Sequence, residues 1–188
     1  MRSAIREEIS SIEPFDDLER AHIADALAWI DSGAELCRLE KPAAPPKHLV
    51  SYFVVVDGEH VLLVDHKNAR LWLPTGGHVE PGEHPRATAT RELREELGLD
   101  LLDSLDAPLL LTSAETVGIT AGHTDVSLWY VVAADSAVPM DFDAEEFHGV
   151  QWFHFGEAPL SRSDPHLERF LRKLSQTSRS TRSRAKSR

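Results

Sequence analysis

LWLPTGGHVEPGEHPRATATRELREELGL, residues 71 to 99, decides how the rest of the chain is read. Pro74, Gly76, Gly77, Pro81 and Gly82 punctuate its first half, which predicts a short strand over Leu71 to Leu73 and then a loop. The second half predicts a helix over 85–97. Pro85 suits a first turn, where its missing N–H is no loss, and Gly98 supplies the stop. Ala89, Leu93 and Leu97 form an apolar stripe on that helix, and Glu92, Glu95 and Glu96 fall within an arc of about 100° beside it. Carboxylates so spaced repel by roughly a few tenths of a kcal/mol per pair, so three of them beside a buried stripe call for a cation. Hard oxygen donors select magnesium, manganese or calcium, and magnesium held by few carboxylates keeps positions open for water and phosphate oxygens. Taken alone, RELREEL also reads as a charged, solvated helix face.

The flanking residues shift that balance. Gly76 and Gly77 let the backbone approach a ligand closely, so that a carbonyl there can complete a metal shell. Glu80 and Glu83 add acidity, and Arg91 is placed to pair with a loop carboxylate such as Glu83. The full string runs Gly77, five residues, Glu83, seven residues, Arg91-Glu92-Leu93, one residue, Glu95-Glu96, one residue, Gly98-Leu99. It resembles the Nudix box at every defining position, and LWLPTGG with Glu80 resembles the usual lead-in; Thr75 departs from it, standing where many members have another glycine.

The resemblance implies an α/β fold, an α/β/α sandwich with a mixed sheet, over roughly residues 48 to 160. It implies that Glu92, Glu95 and Glu96 hold Mg2+, or Mn2+ in its place, assisted by the carbonyl of Gly76, with Arg91, Gly77, Glu83 and Gly98 completing the box. Family members commonly recruit one more carboxylate late in the domain; here DAEEFHGVQWF offers Glu145 or Glu146, as metal ligand or general base. The implied reaction is hydrolysis of a diphosphate linkage in a nucleoside triphosphate or nucleoside diphosphate derivative, by in-line attack of a metal-activated water. Glu92 or the late glutamate would be the base. For substrate contacts the candidates are His123 and Asp125, near a glycine-bearing turn, and His78 and His84 beside the box; Trp129 is as readily a core residue. Ala114-Glu115 stands where ADP-ribose and dinucleoside polyphosphate hydrolases carry a proline or tyrosine. Two rivals share the fold: a nucleotide-binding sensor without turnover, and an isopentenyl diphosphate isomerase. The isomerase needs a core cysteine, and the single cysteine, Cys37, lies in the N-terminal extension.

Outward from the box, LVSYFVVVDGEHVLLVDH (49–66) predicts two strands around Asp57-Gly58-Glu59-His60. Residues 109–118, 125–135 and 150–155 predict three more strands, and DPHLERFLRKL a closing helix behind Asp164. Upstream, Asp16 or Asp17 caps an amphipathic helix through Asp31, with Gly33 as stop, and the proline-rich KPAAPPK leads into a domain starting near His48. The expected organisation is a helical extension and linker over 1–47, a Nudix domain over 48–174 and a basic, solvated tail over 175–188. The apolar face of the extension must bury itself on the core or across a homodimer interface.

Composition narrows the function classes. Of the net charge of −11, the tail contributes five positive charges, which leaves −16 on residues 1 to 174. A body of that sign repels phosphates unless cations are recruited, and it argues against nucleic acid as a partner. One cysteine permits no intrachain disulfide and no cysteine-rich zinc site. The chain shows neither an apolar run of membrane-spanning length nor the pattern of a secretory leader, so the expected setting is the cytoplasm with no membrane partner.

Overall fold

Strand β1 (Lys47–Asp57) serves both faces of the sheet, and its alternation organises the molecule. Leu49, Phe53 and Val55 enter one hydrophobic cluster and Val54 the other. The same split recurs on β2 (His60–His66), where Leu62 and Val64 face one way and Val61 and Leu63 the other. The computed structural model describes residues 1–41, 44–99, 105–116 and 122–185, of which 179–185 by backbone alone.

Among the described residues the sheet has seven strands in the order β3-β2-β1-β6-β5, where β3 is Leu71–Leu73, β5 Leu110–Glu115 and β6 Thr124–Ala133. β1 and β6 run parallel, paired from Lys47 with Thr124 through Val56 with Ala133, and the other pairings are antiparallel, so the sheet is mixed as expected. β7 (Phe147–His154) pairs with β2. Gly58, at φ 57°, allows the tight turn between β1 and β2. The stretch predicted as a loop after Leu73 contains a strand, β4 (Thr75–His78), hydrogen-bonded to β1 in the register Val50 to His78 and Phe53 to Thr75. Its glycines hide it from a pattern built on side-chain alternation.

Helices cover both faces. α3 (Pro85–Leu97) keeps its predicted bounds and lies with α1 (Arg2–Ser10) and α2 (Asp17–Asp31) on one side; α4 (Leu167–Ala185) packs on the other. Asp16 is the cap of α2, its side chain accepting from Glu19 N at 2.8 Å. α1 was not legible in the sequence, because nine residues carrying only Ile5 and Ile9 as buried positions make a thin stripe. α4 continues through Ala185 into the stretch expected to be an open tail; straight-chain and small residues there leave nothing to break it. Cys37, in the extension, is buried in the core with its thiol 3.4 Å from the carbonyl of Glu80.

The extension therefore buries its apolar face on the core of this chain. Ile5, Ile9, Ile12, Ala26, Ile30 and Leu36 share one cluster with Leu93 and Leu97 of α3. A buried ion pair locks the layers together: Lys173 Nζ on α4 donates to Glu19 of α2 at 2.8 and 3.0 Å and to the carbonyl of Glu13 at 2.7 Å. Glu19 also accepts from the backbone N–H groups of Phe15 and Leu111, at 2.7 and 3.1 Å. Removing one partner leaves an uncompensated buried charge, so Lys173→Met is expected to cost about 3–5 kcal/mol in urea unfolding. Adding Glu19→Gln, which keeps an acceptor for the two amides, is expected to recover part of that loss. A double variant as damaged as the sum of the two single ones would show that the charges do not couple.

Candidate active site

α3 turns its polar side onto the bare backbone of β4. Glu96, only 5 % exposed, accepts a hydrogen bond from the N–H of Gly76 at 3.2 Å. A Cβ on Gly77 would lie 2.0 Å from Glu92 Oε1, and one on Gly76 2.4 Å from the carbonyl of Ser51. Gly76 is thus required by its close approach to the β1 backbone, and a side chain at position 77 would push the Glu92 carboxylate from its place.

The ends of the helix are fixed. His84 caps it, accepting from Arg86 N at 3.3 Å, and the buried Ser51 hydroxyl donates to the Pro85 carbonyl at 2.7 Å. Gly98 ends it in the left-handed region at φ 63°, where Leu99 N reaches the Leu93 carbonyl at 3.3 Å. Arg91 joins loop to helix as expected: Nε and Nη2 fork onto Glu83 at 3.1 and 3.2 Å. Its Nη1 reaches Glu92 at 2.9 Å and Glu95 at 3.1 Å. Glu83 is held in turn by the Thr88 hydroxyl at 2.7 Å and the Glu80 amide at 3.3 Å.

The late loop is tied to the same helix. Asp143 N donates to the Glu96 carbonyl at 2.9 Å, Lys67 N donates to the Glu146 carbonyl at 3.1 Å, and the Lys67 ammonium donates to the carbonyls of Ala144 and Glu145. Glu146 thereby enters a hollow of about 410 Å³ that it lines with Gly76, Gly77, Arg91, Glu92 and Glu96. Glu145 is exposed and is not among the lining residues; Glu95 sits on the rim, its side chain 59 % exposed. An adjoining cavity of about 660 Å³ has an apolar wall of Val50, Tyr52 and Phe147, and Gly76, Gly77 and Glu96 at its mouth toward the acidic hollow.

His78, His123 and Asp125 line that second cavity and lie together, joined by a residue the sequence reading missed, His48. His48 is the second residue of β1, and its parallel pairing with Asp125 spans the chain, so no local pattern announces it. Trp129 is core: it stacks on Phe170 and donates to Thr112 Oγ1 at 3.1 Å. The box, the late glutamate and this cluster thus surround one continuous depression.

Burial, then the neighbouring Glu92 and Glu146, push the Glu96 carboxyl up to about 9 against the opposing pull of the Gly76 N–H. Burial also raises Glu92, with Arg91 opposing. Buried carboxyls converging on a glycine backbone are an oxygen donor set that fits a divalent cation: a dication would offset the burial and mutual repulsion that raise them. Folding therefore raises the Glu96 pKa from the ordinary carboxylate range to about 9, so the cation-free folded state binds the extra proton. Its stability falls as pH rises between those two values. Thermal scans in chelator are expected to show the midpoint dropping from pH 5 to pH 9, with Glu96→Gln flattening the drop and raising the midpoint at pH 8 by several degrees. A steeper pH dependence in the variant would contradict this assignment.

Known proteins share this family and fold. The model of the NUDIX domain family matches residues 46–174. The uncharacterized Nudix hydrolase YvcI of Bacillus subtilis is 28% identical over 129 residues, covering 66% of this chain and 78% of that protein. The MutT NUDIX hydrolase from Burkholderia pseudomallei superposes with a TM-score of 0.55 at 21% identity, over 68% of this chain and 98% of that one. A C. elegans Ap4A hydrolase, in a binary complex, gives a TM-score of 0.58 at 17% identity, over 70% and 98% of the two chains. At such identities the structural likeness speaks to the fold. The family match over residues 46–174 takes in the glutamates of α3, Glu146 and the cluster of His48, His78, His123 and Asp125, and the chain belongs to the Nudix hydrolase family.

Proposed function

We propose that this chain hydrolyses a diphosphate linkage in a nucleoside triphosphate or nucleoside diphosphate derivative, with a divalent cation, magnesium or manganese, held by Glu92, Glu96 and Glu146 and the Gly76 backbone. The observation that carries the reading is the convergence of these three carboxylates on the Gly76–Gly77 backbone in one hollow. Glu95, on the rim and bound by Arg91, completes the set when the substrate brings further cations. When bound, the cation neutralises the phosphate oxygens and makes water easier to deprotonate.

The chain's own residues supply the rest. The hollow, where Glu92, Glu96 and Glu146 share the lining with Arg38, Lys41 and Arg91, takes the diphosphate together with its cations, and the adjoining cavity, with Tyr52 on its wall, is of the size and polarity that suits a base and ribose. Arg91, locked to Glu83, holds Glu92 in place and restrains its carboxylate as a ligand. Glu146 is the freer acceptor: His66 Nε2 lies 3.9 Å from it, beyond hydrogen-bond range, and burial favours the neutral form of that imidazole. Glu146 therefore takes the proton as a water oxygen bonds to one phosphorus and the bridging P–O bond breaks, the leaving phosphate keeping the electron pair. Lys67 keeps the carboxylate in reach by fixing the backbone of the loop.

An isomerase reading has no support in the geometry, since Cys37 faces the Glu80 carbonyl and does not line either hollow. Turnover of a panel of nucleoside triphosphates, nucleotide sugars and dinucleotides with magnesium, products identified by mass spectrometry, tests the hydrolase. The expected result is metal-dependent cleavage, lost in chelator and reduced about 10²–10³-fold by Glu96→Gln. Glu146→Gln is expected to lower kcat with KM little changed, and Glu145→Gln to stay near wild type. Binding of these compounds without any cleavage would replace the hydrolase by a sensor.

A further inference from the structure

We propose that His48, His78, His123 and Asp125 form a second metal site, of the zinc class, separate from the glutamate site. One ligand atom from each of the four lies within 4.8 Å of all the others. His48 is fully buried, and its Nδ1 lies 3.0 Å from the Pro45 carbonyl, a partner that only accepts. Nδ1 therefore carries the proton, and Nε2 presents a lone pair to the interior of the cluster. A ligating histidine is commonly held by such a bond to a backbone carbonyl.

The lone pair of His48 meets no donor. Nε2 lies 3.2 Å from Asp125 Oδ1, yet the contact lacks the alignment of a hydrogen bond, and both atoms are buried without a hydrogen-bond partner. His123 Nε2 is 3.3 Å from the same oxygen, again without bonding it, while its Nδ1 rests 3.2 Å from the Thr116 hydroxyl. Two imidazole nitrogens and a carboxylate oxygen are thus brought together without a hydrogen bond among them. Separations of 3.2 and 3.3 Å are also those across a tetrahedral ion with bonds of about 2.0–2.1 Å. His78 offers the fourth donor. Arg38 Nη1 lies 3.2 Å from its Nε2, and a guanidinium only donates, so the ring is neutral there, the state a metal ligand requires. With Nε2 accepting, the ring proton sits on Nδ1, so a cation bound at either nitrogen gives up the Arg38 contact: at Nε2 by displacing the guanidinium, at Nδ1 by moving the proton to Nε2.

Three imidazoles and one carboxylate suit zinc, cobalt or nickel, whereas magnesium prefers oxygen. The site clamps three strands: His48 on β1, His78 at the end of β4, and Asp125 on β6 with His123 just ahead of it. Four protein donors close the shell, which makes the site structural, a fastener for the strand that carries Gly76 and Gly77.

The inference does not depend on hydrolysis, and its test reads binding. The full chain, stripped with chelator, is titrated with Zn2+ by calorimetry and with Co2+ by visible absorption. The expected result is one zinc per chain and the intense absorption of tetrahedral cobalt, both retained in Glu92→Gln/Glu96→Gln. Affinity is expected to fall at least 100-fold in His123→Ala and in Asp125→Asn, both on partly exposed residues whose folding is verified by circular dichroism. Zinc is also expected to raise the thermal midpoint of Glu92→Gln/Glu96→Gln, and to lose that effect when His123→Ala is added to it. Loss of zinc in the glutamate variant with retention in His123→Ala would overturn the proposal, as would only the weak absorption of octahedral cobalt.

Discussion

The structure depends on bringing carboxylates against a backbone that has no side chains to keep them away. Glu92 occupies the space a Cβ on Gly77 would need, and Glu96 takes the N–H of Gly76. Such contacts are lost if the helix shifts by an ångström. The burial of Ala89, Leu93 and Leu97, the bond from Ser51 to Pro85, the Gly98 stop and the Arg91–Glu83 fork therefore share one purpose, holding α3 against β4 despite mutual repulsion among its acids. The late loop adds to this, since one backbone bond joins Asp143 to the residue that carries the most perturbed carboxyl.

The N-terminal segment lies almost wholly outside the family match, yet it braces the same helix. Glu8 on α1 is nearly buried and accepts from the Tyr130 hydroxyl at 3.0 Å and from Arg86 at 2.8 Å, with His84 Nε2 at 3.6 Å. Arg86 and His84 belong to the first turn and cap of α3. A carboxylate there also favours the positive end of the helix dipole. Beneath this contact Ile5 and Ile9 join Leu93 and Leu97 in one core, so α1 continues the layer that backs the site.

Legibility followed the range of the interactions. α3 could be read to its end residues because its determinants are local: a proline, a stripe, a glycine. The Arg91–Glu83 pair was legible for the same reason. β4 escaped because its pairing with β1 is a backbone affair, and glycines leave no alternation to detect. Between Glu145 and Glu146 the sequence offered no choice; the bond from Lys67 and the start of β7 at Phe147 decide which one faces the hollow. His48 was the largest omission among polar residues, and only the parallel register of β1 with β6 makes its proximity to Asp125 visible. Tyr130 is the floor on which Glu8 and Arg86 meet, a contact set by α1 that the strand's own pattern does not announce.

β4 is where the two donor chemistries meet. In four residues it offers Gly76 and Gly77 to carboxylates and His78 to imidazoles. Oxygen donors suit an exchangeable hard cation that arrives with phosphates, while imidazoles suit one held tightly and kept. Keeping the sets apart by one residue on a short strand lets the protein discriminate by ligand type where raw affinity would not, since a first-row transition metal outcompetes magnesium at most sites. A strand fastened through His78 also loses freedom at Gly77, the position whose missing side chain lets Glu92 approach. Glycine makes the contact sterically accessible but leaves the backbone loose, and a fixed neighbour is the simplest physical remedy for that looseness.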